Sequence, residues 1–194
     1  MKIRQLLFVA TMLTATIAAK AQSTIPEGYT KAEISLADGK VLNGYIKDNM
    51  KKSAAVTFVD EAGQNKKNYD GGSINGLKTA TDTYTCINGD FFKILSSGKL
   101  DLLQKSSNSA GKVSYNGADA VVSTGTPGKI GDYCIYSDNK LKVLNKKTTE
   151  AFISEELTGC AAAIEKANSA NGDMLIMKEA VDIYNEFAKS KATK

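Results

Sequence analysis

Histidine and tryptophan are absent from the 194 residues, proline occurs twice and cysteine three times. The missing histidine excludes Ser-His-Asp triads, Cys-His dyads, imidazole zinc sites and the commonest general base. A serine nucleophile would have only lysine to activate it, and there is no G-x-S-x-G elbow to expose one. Cys86, Cys134 and Cys160 lie 48 and 26 residues apart, so no pair has metal-ligand spacing. Charge of one sign is scarcely in excess, with 25 Lys and Arg against 21 Asp and Glu. No apolar run reaches the roughly 20 residues of a membrane-spanning helix.

What is present begins with an export signal. Lys2 and Arg4 precede a mostly apolar run over 6–19, and Ala19-Lys20-Ala21 gives a small-x-small step before Gln22. Residues 1–21 are therefore expected to be removed after Ala21, giving a periplasmic or secreted protein with no membrane span. Loss of Lys2, Arg4 and Lys20 leaves 22 basic against 21 acidic residues. The basic excess belongs mostly to the leader, and no electrostatic footprint for nucleic acid is left. An oxidising compartment allows one disulfide among three cysteines. Cys134–Cys160 is the expected pair, because the last hairpin and the helices follow each other; three buried thiols packed as small hydrophobes are the alternative.

Residues 22–147 read as strands joined by tight turns. Ala32, Ile34 and Leu36 alternate with Lys31, Glu33 and Ser35 before Asp38-Gly39. Val56 and Phe58 mark another strand, and Asp70-Gly71-Gly72 a turn. Asn88-Gly89 and Ser97-Gly98 are spaced as in a meander, and Asp138-Asn139 closes a last hairpin. Between them, 106–111 is a loop, and 117–131 is weakly patterned apart from Val121-Val122.

The period changes over 148–194. Phe152, Ile153 and Leu157 predict a helix capped by Thr148 or Thr149, and 160–167 is alanine-rich. Asp173 is the expected cap of a final helix that buries Ile176, Ala180, Ile183, Tyr184 and Phe187, with Lys178, Asp182, Asn185 and Lys189 opposite. The fold class is thus α+β: an antiparallel β-rich body, a meander or small barrel-like sheets, followed by two or three C-terminal helices that pack on it.

No motif carries chemistry strongly. The 123–130 segment lacks the first glycine and the Ser or Thr of a phosphate loop, and strand rather than helix follows it. Glu155 and Glu156 are neighbours on a helix and are expected to diverge. The pairs Lys51-Lys52, Lys66-Lys67 and Lys146-Lys147 read as solvated surface. Phe91, Phe92, Tyr133 and Tyr136 are expected in the core. Tyr29, Tyr45, Tyr69, Tyr84 and Tyr115 could instead line a binding face.

The block 38–46 (Asp-Gly-Lys-Val-Leu-Asn-Gly-Tyr-Ile), the turn-rich segment 69–77, the segment 92–99 ending in Gly98-Lys99, the step Leu157-Thr158-Gly159-Cys160 and the pair Tyr184-Asn185 together resemble secreted proteins of unknown function from Bacteroidota. The resemblance covers about 29–187. It implies an envelope or secreted protein and carries over no catalytic or binding residue. The rhythm of 39–74 is also similar to that of SH3-like or Sm-like barrels, as an analogy of fold only. The function expected is a non-catalytic module that binds an envelope protein or glycan, with no cofactor, no metal and no catalytic residue assigned. The alternative is a hydrolase using two distant carboxylates on glycans.

Overall fold

The computed structural model describes residues 25–116 and 119–193, so the expected leader and its cleavage step lie outside the described residues. The chain runs β1 (Thr30–Leu36), β2 (Val41–Asp48), α1 (Met50–Ser53), β3 (Ala55–Asp60), β4 (Lys67–Asp70), β5 (Ile74–Thr79), β6 (Thr83–Ile87), β7 (Asp90–Ser96) and β8 (Asp101–Lys105). It continues through β9 (Val113–Asn116), β10 (Asp119–Val122), β11 (Tyr133–Ser137), β12 (Lys140–Val143), α2 (Lys146–Glu156), α3 (Ala161–Ser169) and α4 (Met174–Ala192). Ten strands form one antiparallel sheet in the order β12-β11-β8-β7-β6-β5-β1-β2-β3-β4, and β9 and β10 pair with each other alone. The fold is α+β with a β-rich body, and among the described residues no helix is long and apolar enough to cross a membrane.

The first half of the sheet rolls up. Ile34, Ile46, Val56, Phe58, Tyr69, Ile74, Leu77 and Phe91 come from six strands and form a single buried cluster. A flat sheet could not bring them together. Gly71, just past β4, makes an antiparallel bridge to Gly89 in the β6–β7 turn, bringing one sheet edge round towards the middle. The turns follow their sequence chemistry. Asn88 and Gly89 both have positive φ (47° and 84°), as do Asp138 and Asn139 (46° and 60°), as two-residue hairpins require.

The second half is covered on both faces. Leu102 and Ile135 are cross-strand partners and pack under the helices with Phe152, Leu157, Ala163, Met177 and Val181. Their neighbours Leu103 and Cys134 pair in the same ladder and point the other way, into a cluster with Phe92. This alternation separates the two cysteines of the expected disulfide. Cys134 lies in the cluster with Phe92 and Cys160 in the cluster under the helices, and Cys86, Cys134 and Cys160 are all free thiols.

Two helix expectations are corrected. The cap of α2 is Asn145, whose side chain accepts the Lys147 and Thr148 amides (3.0 and 3.2 Å), while Thr148 Oγ1 accepts the Asn145 N–H at 2.8 Å. Thr148 is therefore the returning member of a capping box rather than the cap. In α4, Asp173 caps as expected, accepting the Leu175 N–H at 2.8 Å. The buried stripe, however, centres on Met177, Ala180 and Val181, and Ile183 is 36 % exposed. Asp182 and Asn185, expected on the solvent side, face the β7–β8 turn. Asn185 donates to Leu100 O and accepts from Leu100 N, each at 2.9 Å, as a neighbouring strand would. Ser96 Oγ donates to Asp182 at 2.5 Å. A Cβ on Gly98 would lie 2.5 Å from Asn185 Cγ, so the turn can sit this close to the helix only with glycine. Gly98 and Asn185, eighty-seven positions apart in the chain, thus touch.

Candidate functional site: the groove beside the β9–β10 hairpin

The connection 106–132 between β8 and β11 carries the β9–β10 hairpin, and a buried ion pair ties it to the sheet. Asp90 opens β7 and Lys105 ends β8. Their side chains are both 0 % exposed, with Lys105 Nζ 3.2 Å from Asp90 Oδ2. Phe92 is the cross-strand partner of Lys105, so the lysine points to the same face as the Phe92–Leu103–Cys134 cluster. Burying two charges is costly unless every donor and acceptor is used, and here they are. Asp90 Oδ2 accepts the Thr126 N–H (2.8 Å) and hydroxyl (2.6 Å). Its Oδ1 accepts the Ser109 N–H (2.5 Å) and the Ser107 hydroxyl (3.3 Å). Lys105 Nζ donates to the carbonyls of Thr126 (2.6 Å) and Gly128 (3.2 Å), with Pro127 O at 3.4 Å. Among the described residues, no buried side-chain polar atom lacks a partner.

Burial pushes the Asp90 carboxyl up, but hydrogen bonds from Thr126, Lys105 and Ser109 outweigh it and hold the group below the usual carboxylate range. Asp90 is a fixed anion and Lys105 has its protons committed. Neither is placed to exchange a proton with a substrate. The segment 123–130, whose glycines and lysine superficially suggest a phosphate loop, turns its carbonyls towards the Lys105 ammonium. Carbonyl oxygens attract a cation and repel phosphate, so the structure gives this loop a cation-holding role.

Above the node lies a groove of about 670 Å³ between the β4–β5 turn, the β6–β7 turn and the base of the hairpin. Its lining includes Asp70, Gly72, Gly89, Ser109, Lys112 and Ser123. Ser109 and Ser123 share a hydroxyl–hydroxyl hydrogen bond at 2.9 Å, and Ser109 also reaches Asn88 O. A Cβ on Gly89 would meet Ser109 Oγ at 3.0 Å, so the positive-φ glycine also makes room for this wall. Val113 and Val122, paired in register, rim the groove and are 53 % and 59 % exposed. Two β-branched side chains held in water side by side form an apolar contact surface.

The hydrolase expectation can be tested at a cleft among the described residues that two carboxylates line. Asp48 and Asp82 line a cleft of about 190 Å³ with Tyr84. Lys93 beside Asp82 holds that carboxyl below its ordinary value despite partial burial, the reverse of what a general acid needs. Asp48 accepts the Met50 N–H at 2.7 Å. The cleft also falls short of the roughly 300–1,000 Å³ usual for ligand pockets. Among the described residues, no three His, Cys, Asp or Glu side chains gather as a metal site.

The remaining sequence candidates separate. Tyr69 is buried in the rolled half and Tyr84 packs against the same cluster. Tyr133 lines a separate groove of about 710 Å³ between α2 and the α3–α4 corner. The Tyr115 side chain lies outside the described residues. Glu155 and Glu156, expected to diverge, both reach Lys142 (3.6 and 2.7 Å) because β12 passes beneath the end of α2. Sequence reasoning missed Asp90 and Lys105. A signal existed: each sits two residues from Phe92 or Leu103, on the inward step of its strand. Comparison of the chain with protein-family models, with curated proteins and with solved structures finds no match.

Proposed function

We propose that the protein is an exported, non-catalytic binding module of the cell envelope or extracellular space, which holds an envelope protein or glycan in the groove beside the β9–β10 hairpin. One observation carries this reading: the buried charges that could do chemistry are spent on fixing the hairpin, whose apolar pair and polar groove wall stay open to a partner. Rigid scaffolds that present loops are how binding sites are usually built. Export is supported by the three-part leader in the sequence, and N-terminal sequencing of protein from a native host tests it; a mature form retaining residues 1–21 would refute it. Binding is tested by recovering partners from the native envelope with the wild-type chain and with Val113→Asp/Val122→Asp. A partner held only by the wild type supports the reading. No partner, together with turnover in a glycan screen that Asp82→Asn abolishes, would move the assignment to the hydrolase.

A further inference from the structure

The outer face of the rolled half carries a second, differently built groove. In register across the sheet, Lys31 pairs with Tyr45 and Tyr45 with Val59; one step along, Lys47 pairs with Thr57 and Thr57 with Asn68. Because Ile46, Val56 and Phe58 point into the roll, these alternate residues all lie on its outside. Val59 and Thr57 form a floor, only 2 % and 7 % exposed. Around it, Tyr29, Lys47, Asn49 and Lys66 line a groove of about 450 Å³ that contains no acidic side chain. Lys31, Lys47 and Lys66 are exposed and form no salt bridge among the described residues. Asp60 at the adjoining turn is occupied with Ala62, Gln64 and Asn65, the exposed Glu61 and Glu27 are not among the residues that line the groove, and Glu33 lies away on β1 opposite Asn43.

The polar floor is ordered. Asn49 Nδ2 donates to Thr57 Oγ1 at 3.0 Å, and that hydroxyl donates to Asn68 Oδ1 at 2.7 Å. The ladder fixes both amides and leaves the side-chain Oδ1 of Asn49 in the groove, and the amide hydrogens of Asn68 beside it, for a ligand. Fixed amides suit sugar hydroxyls, a tyrosine ring suits a sugar's apolar face, and lysines suit acid groups on the chain. We infer that this outer groove binds an acidic glycan, one bearing carboxylate or sulfate groups. The site is separate from the hairpin groove and does not depend on it.

The test is isothermal titration of the full chain with an oligogalacturonate, its fully methyl-esterified form, a sulfated oligosaccharide and a single-stranded DNA of equal charge. Binding of the carboxylated or the sulfated probe, with neither the ester nor DNA bound, is expected, and whichever acid binds names the group recognised. Lys47→Gln and Lys66→Gln, both at exposed positions, should each weaken it about tenfold, a loss of about 1.4 kcal/mol. Val113→Asp/Val122→Asp should leave it unchanged, which separates failure here from failure of the hairpin groove. Equal binding of the ester or of DNA, no binding of either acidic sugar, or indifference to both lysine variants would overturn the inference.

Discussion

The two halves of the sheet solve the problem of covering their faces in different ways. Strands β1–β6 curl until their own side chains, joined by Met50 of α1 and Phe91 of β7, fill the inside, so Ile34, Val56, Phe58 and Leu77 need no cover from the C-terminal helices. Strands β7, β8, β11 and β12 do not close. One of their faces borrows three helices, and the 106–132 connection is tied to the other through Asp90 and Lys105 and reaches Val143 at Gly128. A borrowed cover must be anchored, and both anchors are polar: Asp182 and Asn185 for the helices, Asp90 and Lys105 for the connection. Apolar contact supplies most of the stabilisation in both halves, while directional bonds decide where the added segments sit.

Removing a cover should have the largest effect. A chain ending at Asn171 loses α4, which buries Met177, Ala180 and Val181 and half-buries Ile176, Tyr184 and Phe187. At about 1.5–3 kcal/mol for each large side chain fully buried, that approaches the roughly 5–15 kcal/mol total of a typical domain. Unfolded or aggregated protein by circular dichroism is expected. A folded truncate with an unchanged melting temperature would make the helix a free tail and erase the contrast.

Next comes the anchor of the connection. Lys105→Met leaves Asp90 buried without its cation and should cost about 3–5 kcal/mol, read as a lower denaturation midpoint at unchanged slope. The same anchor gives a sign for pH. Asp90 titrates below its unfolded value, so its contribution is complete above about pH 4 and disappears as pH falls through the folded value. Asp90→Asn should be less stable than wild type at neutral pH, and its stability should change less on acidification. Parallel acid profiles for the two proteins would show that Asp90 is not the anchor.

Asn185→Ala tests the helix anchor and should cost about 1–3 kcal/mol, because the Leu100 N–H and C=O both lose their partner. Ile183→Ser, two residues away on the same helix, should change stability by no more than about 0.5 kcal/mol. Equal effects at the two positions would return the helix to the orientation its apolar pattern suggested.

That pair of substitutions also shows where the sequence was legible. Turns were, because Asn88-Gly89 and Asp138-Asn139 need a positive φ that few residues accept. The order of most strands and of the three long helices was, because periodicity is a local property, whereas α1 and β9 are too short to show one. Which stripe of α4 faces inward depends on what waits beneath it, and a polar Asn185 that completes Leu100 looks from sequence like a solvated residue. The candidate groove was least legible. Asp90 and Lys105 are fifteen positions apart on neighbouring strands, and the residues that satisfy them, Ser107, Ser109 and Thr126, reach them only once the connection has folded back.

The smallest expected effect concerns the cysteines, which lie on both sides of the comparison. Cys86 packs against the core of the rolled half, and Cys134 and Cys160 sit on either face of the other. Burial, with Asp70 and Asp90 adding to it, pushes the Cys86 thiol up to about 12; burial and Asp132 push Cys134 to about 11. The thiolate is the reactive form, so at pH 8 a chromogenic disulfide reagent should modify both slowly in native protein. After unfolding without reductant all three thiols should titrate, and adding reductant should leave the melting temperature where it was. A single titratable thiol would require one disulfide. A bridge from Cys134 to Cys160 would have to cross the sheet between Leu103 and Leu102, whose side chains point to its two faces, so its detection would mean that β11 or α3 is placed differently from the arrangement described.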